Sequence, residues 1–487
     1  MSKIPTGSEP QEETAIIGEC DTRLQISRGR AYATVAILLL INALNYMDRF
    51  TIAGIPSYVQ EFYSINDAEM GLLQTMFFVS YTALSPIAGY FGDRWRRKYI
   101  IMAGLVLWVA VTLASSFIPG NLFYLFLFTR CLVGVGEASY STIAPTILTD
   151  LFAGSARTNV LGLFYFAVPV GSGLGYVVGS AVTDLAGGRW QWSLRVTPAL
   201  GLLCIILLGL LHKDPPRGLA EGVSHELRTT PWLVDLKYLF CNPTFMLISG
   251  GFTGACFILG SMTWFAVNLI QLGLSAKYDN PFAWQMYNVP FIFGVCVCVA
   301  GIVGVITGVS VARRLRPRIP KVDPLICAAG AYICVPFLFF ALVTSSVNFY
   351  LCLVLVFIAE IALCLNWALV PDVTMGAVIP SRRSTAFAVQ MIITHGLGDC
   401  ISPTIIGAIS VAISDSKSLE MQYLSLQRAL FLNLFVSILS GFLFSMASLY
   451  VVQSKEAVRR AIQEAELVDG TYESGYEVTL PSADHRA

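Results

Sequence analysis

Asp48 and Arg49 lie inside the first long apolar stretch of the sequence, and Arg130 and Glu137 inside the fourth. A charge near the middle of a bilayer costs about 2.5 to 3.5 kcal/mol on insertion scales, so each must face an opposite charge or a wet cavity. Arg130 and Glu137 are seven positions apart in sequence, about 700° of helical rotation, and therefore share a helix face. An acid beside a base in a span can load or release a proton when a conformational change alters its burial or its neighbour. These residue types at this depth point to a solute or proton pathway; the competing reading is a static network that only holds helices together. Further along the chain come Glu360 and Asp372, then His395 and Asp399 at an i, i+4 spacing on one helix face. Histidine changes charge near neutral pH, so this pair is either a titrating group or a satisfied structural one.

Long helices must hold these charges. Of the 487 residues, 55% are hydrophobic and only 13% charged, with a mean hydropathy of +0.68. Soluble domains carry roughly 25% charged residues, so an ordinary soluble fold is excluded. Stretches long enough to cross about 30 Å of hydrocarbon, roughly 20 residues each, recur twelve times. They fall near 31–60, 68–92, 98–118, 121–151, 157–183, 190–212, 244–273, 284–312, 322–344, 346–378, 382–412 and 424–453. The expected fold is an all-α membrane protein.

Of the 31 Lys and Arg residues, 24 fall on one side of this segmentation and only Arg189, Lys277 and Lys417 on the other. The remaining four, Arg49, Arg130, Arg195 and Arg428, are in spans. Cytosolic loops are enriched in Lys and Arg, which predicts that both termini are cytosolic. The expected organisation is a cytosolic tail (1–30), a six-helix bundle (31–212), a cytosolic linker (213–243), a second six-helix bundle (244–453) and a cytosolic tail (454–487). Within the linker, Thr230 and Pro231 are suited to start a short interfacial helix running on to Leu239. Beyond 454, Glu, Ser and Gly replace apolar residues, which predicts a mobile tail.

Residues 1–29 lack the pattern of a secretory signal peptide, although Glu12, Ile16 and Ile17 approximate an acidic dileucine sorting signal. The 12 cysteines sit mostly in apolar stretches, where a small buried hydrophobe is the plain reading. Cys296 and Cys298 lack the clustered histidines of a zinc site. No P-loop, zinc-ligand cluster, Gly-x-Ser-x-Gly elbow or sizeable soluble domain occurs, so neither an enzyme nor a cofactor is expected. The zero net charge gives no footprint of a nucleic-acid partner.

Between stretches two and three the chain reads Gly89-Tyr90-Phe91-Gly92-Asp93-Arg94-Trp95-Arg96-Arg97-Lys98. Gly89 permits close helix contact, Asp93 can sit against the positive N-terminal end of a neighbouring helix, and Arg94, with Arg97, can tie to another, latching one end of the protein. The loop resembles the signature loop of the major facilitator superfamily, with Arg96 where that family usually has Gly. At the equivalent place in the second half stands Gly308-Val309-Ser310-Val311-Ala312-Arg313-Arg314, with Ala312 in place of the acid. The latch should therefore differ between halves.

Four further segments narrow the resemblance: Asn45-Tyr46-Met47-Asp48-Arg49-Phe50-Thr51, Gly134-Val135-Gly136-Glu137-Ala138-Ser139-Tyr140, the glycine-rich run from Phe164 through Pro169 to Tyr176, and Leu365-Asn366-Trp367-Ala368. Together they resemble the spinster family of that superfamily, over about residues 40 to 450. The resemblance implies a major facilitator fold, twelve transmembrane helices in two six-helix bundles, and secondary active, proton-linked transport of single-chain lipids (lysophospholipids or sphingoid phosphates) by alternating access. It implies Asp48 and Glu137 as proton-coupling groups, with His395 in a stretch similar to the family's His-x-x-Gly-Asp. It implies Arg49, Arg130, Asn366 and Trp367 at the substrate. Late endosomal or lysosomal membrane is the favoured location, with the plasma membrane as the alternative, and the protein is expected to act as a monomer. A carrier of another organic anion or a sugar is the alternative function. The glycines around Pro169 resemble an antiporter element, and helix packing explains them equally well. Gly294, Gly301, Gly304 and Gly308 on span eight predict a smooth surface for contact between the halves.

Overall fold

The computed structural model describes residues 27–152, 154–215, 232–280, 283–379, 382–416 and 418–476, and their regular elements are all helical. The first rod is α1 (Arg28–Thr51), a 3-10 turn (Ile52–Gly54) and α2 (Pro56–Tyr63). Pro56 has no N–H to donate, so the helix breaks and restarts there. Next come α3 (Asp67–Arg94), α4 (Arg97–Ser115), α5 (Phe123–Leu151), α6 (Gly154–Leu185) and α7 (Ser193–Leu211). The second half opens with the short α8 (Trp232–Cys241) and continues with α9 (Pro243–Tyr278), α10 (Val289–Leu315) and α11 (Val322–Thr344). A rod broken at Leu365 gives α12 (Phe349–Cys364) and α13 (Asn366–Ala377). α14 (Arg383–Thr394) reaches α15 (Ser402–Ile413) through a π-turn at His395–Asp399, and α16 (Leu419–Leu430) leads into α17 (Leu432–Tyr476).

Twelve rods thus match the twelve expected spans. Ten are both long and apolar enough to cross a membrane. The other two, α3 and α5, have ample length at 28 and 29 residues. Their polar content belongs inside the bundle: α5 buries Arg130 and Glu137, and they pack against each other. The linker helix exists as α8, with Thr230 and Pro231 outside the described residues. Residues 1–26, with Glu12, Ile16 and Ile17, also lie outside them. The tail corrects an expectation, since α17 continues to Tyr476; Ala, Arg, Gln and Glu after Lys455 are strong helix formers.

Within the first half, α1 packs on α6 and α7, and α4 on α5 and α7; within the second, α9 and α11 pack on α17, and α10 on α12. The halves meet along α6 with α10 and along α3 with α15. Glycine makes the first of these contacts close: a Cβ at Gly173 would lie 2.6 Å from the Gly294 carbonyl oxygen. Gly301 likewise lies against Pro169, whereas Gly304 and Gly308 face Ile361, Cys364 and Leu365, inside their own half. The expected smooth surface is therefore shared between two neighbours.

One end of this two-half structure is closed. Trp264 Nε1 donates to the Met70 carbonyl at 2.8 Å, Ser57 donates to Gln271 at 2.7 Å, and the Thr75 and Thr404 hydroxyls meet at 2.7 Å. The Tyr176 hydroxyl donates to the Thr263 carbonyl. Towards the other end α3 leaves α15: nothing lies within 4 Å of a Cβ built on Gly89, and Ile87, Tyr90, Met391 and Ile392 are exposed. Gly89 thus makes no close contact; Gly92 does, against Ile143.

At this open end each half is braced by charge. Arg97 at the start of α4 pairs with Asp150 on α5, and Lys98 donates to the Gly209 and His212 carbonyls at 2.6 and 2.8 Å. The Lys98 backbone N–H also donates to Asp214 at 3.1 Å. In the second half Arg316 pairs with Asp372 and Asp323, both at 2.8 Å, and Lys455 reaches Asp323 at 3.5 Å. The braces are alike in position and reversed in sign, with a base opening α4 and an acid opening α11. The halves do differ, as the missing acid at Ala312 predicts, but through Arg316. The side chains of Asp93 and Arg94 lie outside the described residues.

Candidate substrate and ion site

Asp48 and Arg49 occupy the last turn of α1, just before the 3-10 break. Asp48 is fully buried and accepts hydrogen bonds from Thr197 on α7 at 2.6 Å and from Trp108 and Thr112 on α4 at 3.1 and 3.4 Å. Arg130 Nη1 lies 4.0 Å from the same carboxylate. Arg49 turns the other way, because consecutive helical residues diverge by about 100°. Its Nη2 donates to Glu137 at 2.7 Å, and its guanidinium carbon lies 4.4 Å from the Phe77 ring centre, 4.8 Å from Tyr46 and 5.2 Å from Phe78.

Arg49 thus pairs with Glu137 and not with its neighbour Asp48, and Arg130 and Glu137 each face an opposite charge on α1, as a charge buried in a span must. Seven residues of helix separate Arg130 from Glu137 by about 10 Å along the axis, so the shared face presents two contact points. The pairs are incompletely satisfied: Glu137 Oε1, Arg49 Nε, and Arg130 Nε and Nη2 are buried without a hydrogen-bond partner. Arginine donors in a planar fork suit a phosphate or carboxylate, and in a low-dielectric site that interaction is strong.

His395 lies 3.0 Å from Asp399, as the i, i+4 spacing predicts, although through a π-turn. Its ring stacks on Phe78 at 5.9 Å and 11°. A contact path therefore runs Arg49, Phe78, His395, Asp399 from one half to the other. Asn366 is fully buried with both side-chain amide atoms unpartnered, and Trp367 is 38% exposed, its ring edge-on to Phe252. Glu360 contacts the Cys364 thiol at 3.5 Å. Asp372 belongs to the Arg316 brace and not to this site. Trp108, Thr112 and Thr197 were not expected; uncharged residues in apolar stretches carry no distinguishing signal.

The glycines around Pro169 seat α6 on α1: a Cβ on Gly171, Gly175 or Gly179 would lie 2.5 to 2.6 Å from a carbonyl of Ala43, Met47 or Thr51. That is one helix stripe, and it fixes the height at which α1 presents Asp48 and Arg49.

Residues 38–403 match the model of the Major Facilitator Superfamily. The chain is 44% identical over 446 residues to Protein spinster homolog 1 of Homo sapiens, covering 90% of this chain and 84% of that protein. It is 41% identical to Protein spinster of Drosophila melanogaster, covering 90% and 80%. The chain belongs to the spinster family of the major facilitator superfamily. Spinster membership makes it a multi-pass membrane transporter and not an enzyme. Among solved structures, a bacterial homologue of the human lysosomal transporter spinster, in an inward-facing and unoccupied conformation, superposes with a TM-score of 0.75 at 20% identity, covering 88% of this chain and 99% of that one. A nucleoside transporter reaches 0.63 at 13% identity. The fold alone thus leaves the spinster substrate to be argued from the site.

Proposed function

We propose that this transporter moves single-chain lipids with a phosphate-bearing headgroup, lysophospholipids or sphingoid phosphates, by proton-linked alternating access. The observation that carries this reading is the pair of crossed contacts, Arg49 with Glu137 and Asp48 with Arg130, whose arginines keep unused donors beside an aromatic wall. A phosphate engages Arg130 and Arg49, while the acyl chain lies along Phe77, Phe78 and the rings near Trp367. Asp48, Glu137 and His395 are the proton-responsive groups in this reading, because an anion entering the site competes with the carboxylates for the same cations. Asn366 and Trp367 contact the substrate from the second half.

The bias of Lys and Arg supports cytosolic termini, with the open end facing the cytosol and the closed end the lumen or exterior. We place the protein in the late endosomal or lysosomal membrane, acting as a monomer. The test is uptake of labelled lysophosphatidylcholine, lysophosphatidylethanolamine and sphingosine 1-phosphate by purified protein in vesicles, with and without a pH gradient. Gradient-stimulated uptake of at least one of the three is expected; saturable uptake of a sugar or small organic anion with none of a lipid overturns the reading.

A further inference from the structure

Two arginines excluded from the basic side of the protein meet in one place. Arg189 and Arg195 line a cavity of about 430 Å³ together with Phe62, Phe117, Gln191 and Trp192. It lies at the closed end of the first half, between the end of α2, the link after α4, and the turn leading into α7. Among the described residues no carboxylate lines it, so two cations share one cavity with no acid on its wall.

The position of Arg195 is built. Its Nε donates to the Ser116 hydroxyl at 3.0 Å, and its guanidinium carbon lies 4.4 Å from the Phe117 ring centre and 4.5 Å from Trp192. Two aromatic faces and one hydrogen bond hold the fork with its Nη donors free of that bond, while Arg189 stands exposed beside it. The rim is apolar, with Phe117 67% and Trp192 48% exposed. From it an exposed apolar face runs along α4 and α7 through Leu113, Leu200 and Leu203. Aromatic side chains of this kind belong at the headgroup level of a bilayer.

We propose that this cavity binds the phosphate of an anionic phospholipid in the leaflet at the closed end, its acyl chains lying along α4 and α7. Guanidinium forks recognise phosphate bidentately, and the aromatic rim keeps the contact partly desolvated. The site is formed by the first half alone, and it is separate from the crossed ion pairs. It explains why these arginines stand where basic residues are otherwise scarce.

The test uses the purified full-length protein in phosphatidylcholine nanodiscs, titrated with phosphatidylglycerol and read by native mass spectrometry and thermal melting. The wild type should bind phosphatidylglycerol and melt higher; R189Q/R195Q should lose about tenfold in apparent affinity, as expected for lost hydrogen bonds to a charged group. Arg189→Gln alone, at an exposed position tolerant of substitution, should still lose severalfold, so a double variant that folds poorly leaves the question decidable. Lys277→Gln, which removes a different base of the closed end, should bind as wild type does. Unchanged affinity in Arg189→Gln, equal loss in Lys277→Gln, or the same stabilisation by inorganic phosphate would each overturn the proposal.

Discussion

Asp67 on α3 accepts a hydrogen bond from Ser410 on α15 at 2.8 Å, joining the two halves at the closed end. The same carboxylate accepts from Gln60 at 2.8 Å and Asn268 at 3.4 Å, so one acid gathers α2, α9 and α15. Opening this end must break the bonds that cross between halves. A hydrogen bond to a charged group contributes roughly 1.5 to 3 kcal/mol, so Ser410→Ala should shift the equilibrium by about tenfold or more towards a conformation open at this end. Distances between spin labels on the two halves report it, and a distribution identical to wild type would remove this contact from the gate.

A second contact can be locked. The Cys400 sulfur lies 3.7 Å from the Thr75 carbonyl oxygen, which places positions 75 and 400 side by side across the two halves and makes a cysteine at 75 the natural cross-linking partner. Oxidised Thr75→Cys should stop transport and reductant should restore it, because α3 and α15 must separate in each cycle. Full transport by the cross-linked protein would show that these helices stay together throughout.

The crossed ion pairs make a quantitative claim. Removing one partner of a buried pair leaves an uncompensated charge and costs about 3 to 5 kcal/mol. Arg49→Gln and Glu137→Gln, 8% and 2% exposed in the wild type, should each lower the melting temperature. The double variant should lose less than the sum of the two single losses, by a coupling of about 2 kcal/mol, and should not recover transport. Strictly additive costs would mean that the two charges do not support each other.

Much of this architecture is legible in the sequence, because a bilayer enforces length and apolarity and the spacing of Arg130 and Glu137 dictates a common face. Partner choice is not legible. Adjacent residues such as Asp48 and Arg49 diverge around the helix, and their true partners lie 60 to 149 positions away. Nor could a glycine pattern tell that Gly92 packs closely while Gly89 does not, since that depends on which end of the molecule is open. The tail shows a third limit: composition suggested loss of structure, while helix propensity and the Lys455 tie to Asp323 carry α17 onward.

The brace at the end of α7 has a pH signature. Burial alone would raise the Asp214 pKa, but hydrogen bonds from His212 and the Lys98 N–H outweigh it and hold the carboxyl below the usual 3.8. A depressed pKa stabilises the fold above the unfolded value and stops doing so as pH falls through the folded one. Asp214→Asn should therefore melt below wild type at neutral pH by a margin constant down to about pH 4, with the gap closing on further acidification. A gap that widens in acid would contradict the assignment.

The central claim is that lipid transport is driven by protons through the buried acid of α1, and transport by Asp48→Asn in vesicles with an imposed pH gradient tests it most directly. The substitution nearly preserves shape among Thr197, Trp108 and Thr112 and removes the titrating group. The account predicts that labelled lysophospholipid or sphingosine 1-phosphate still exchanges across the membrane in the variant, while stimulation by the gradient is lost. Gradient stimulation equal to that of the wild type would contradict it.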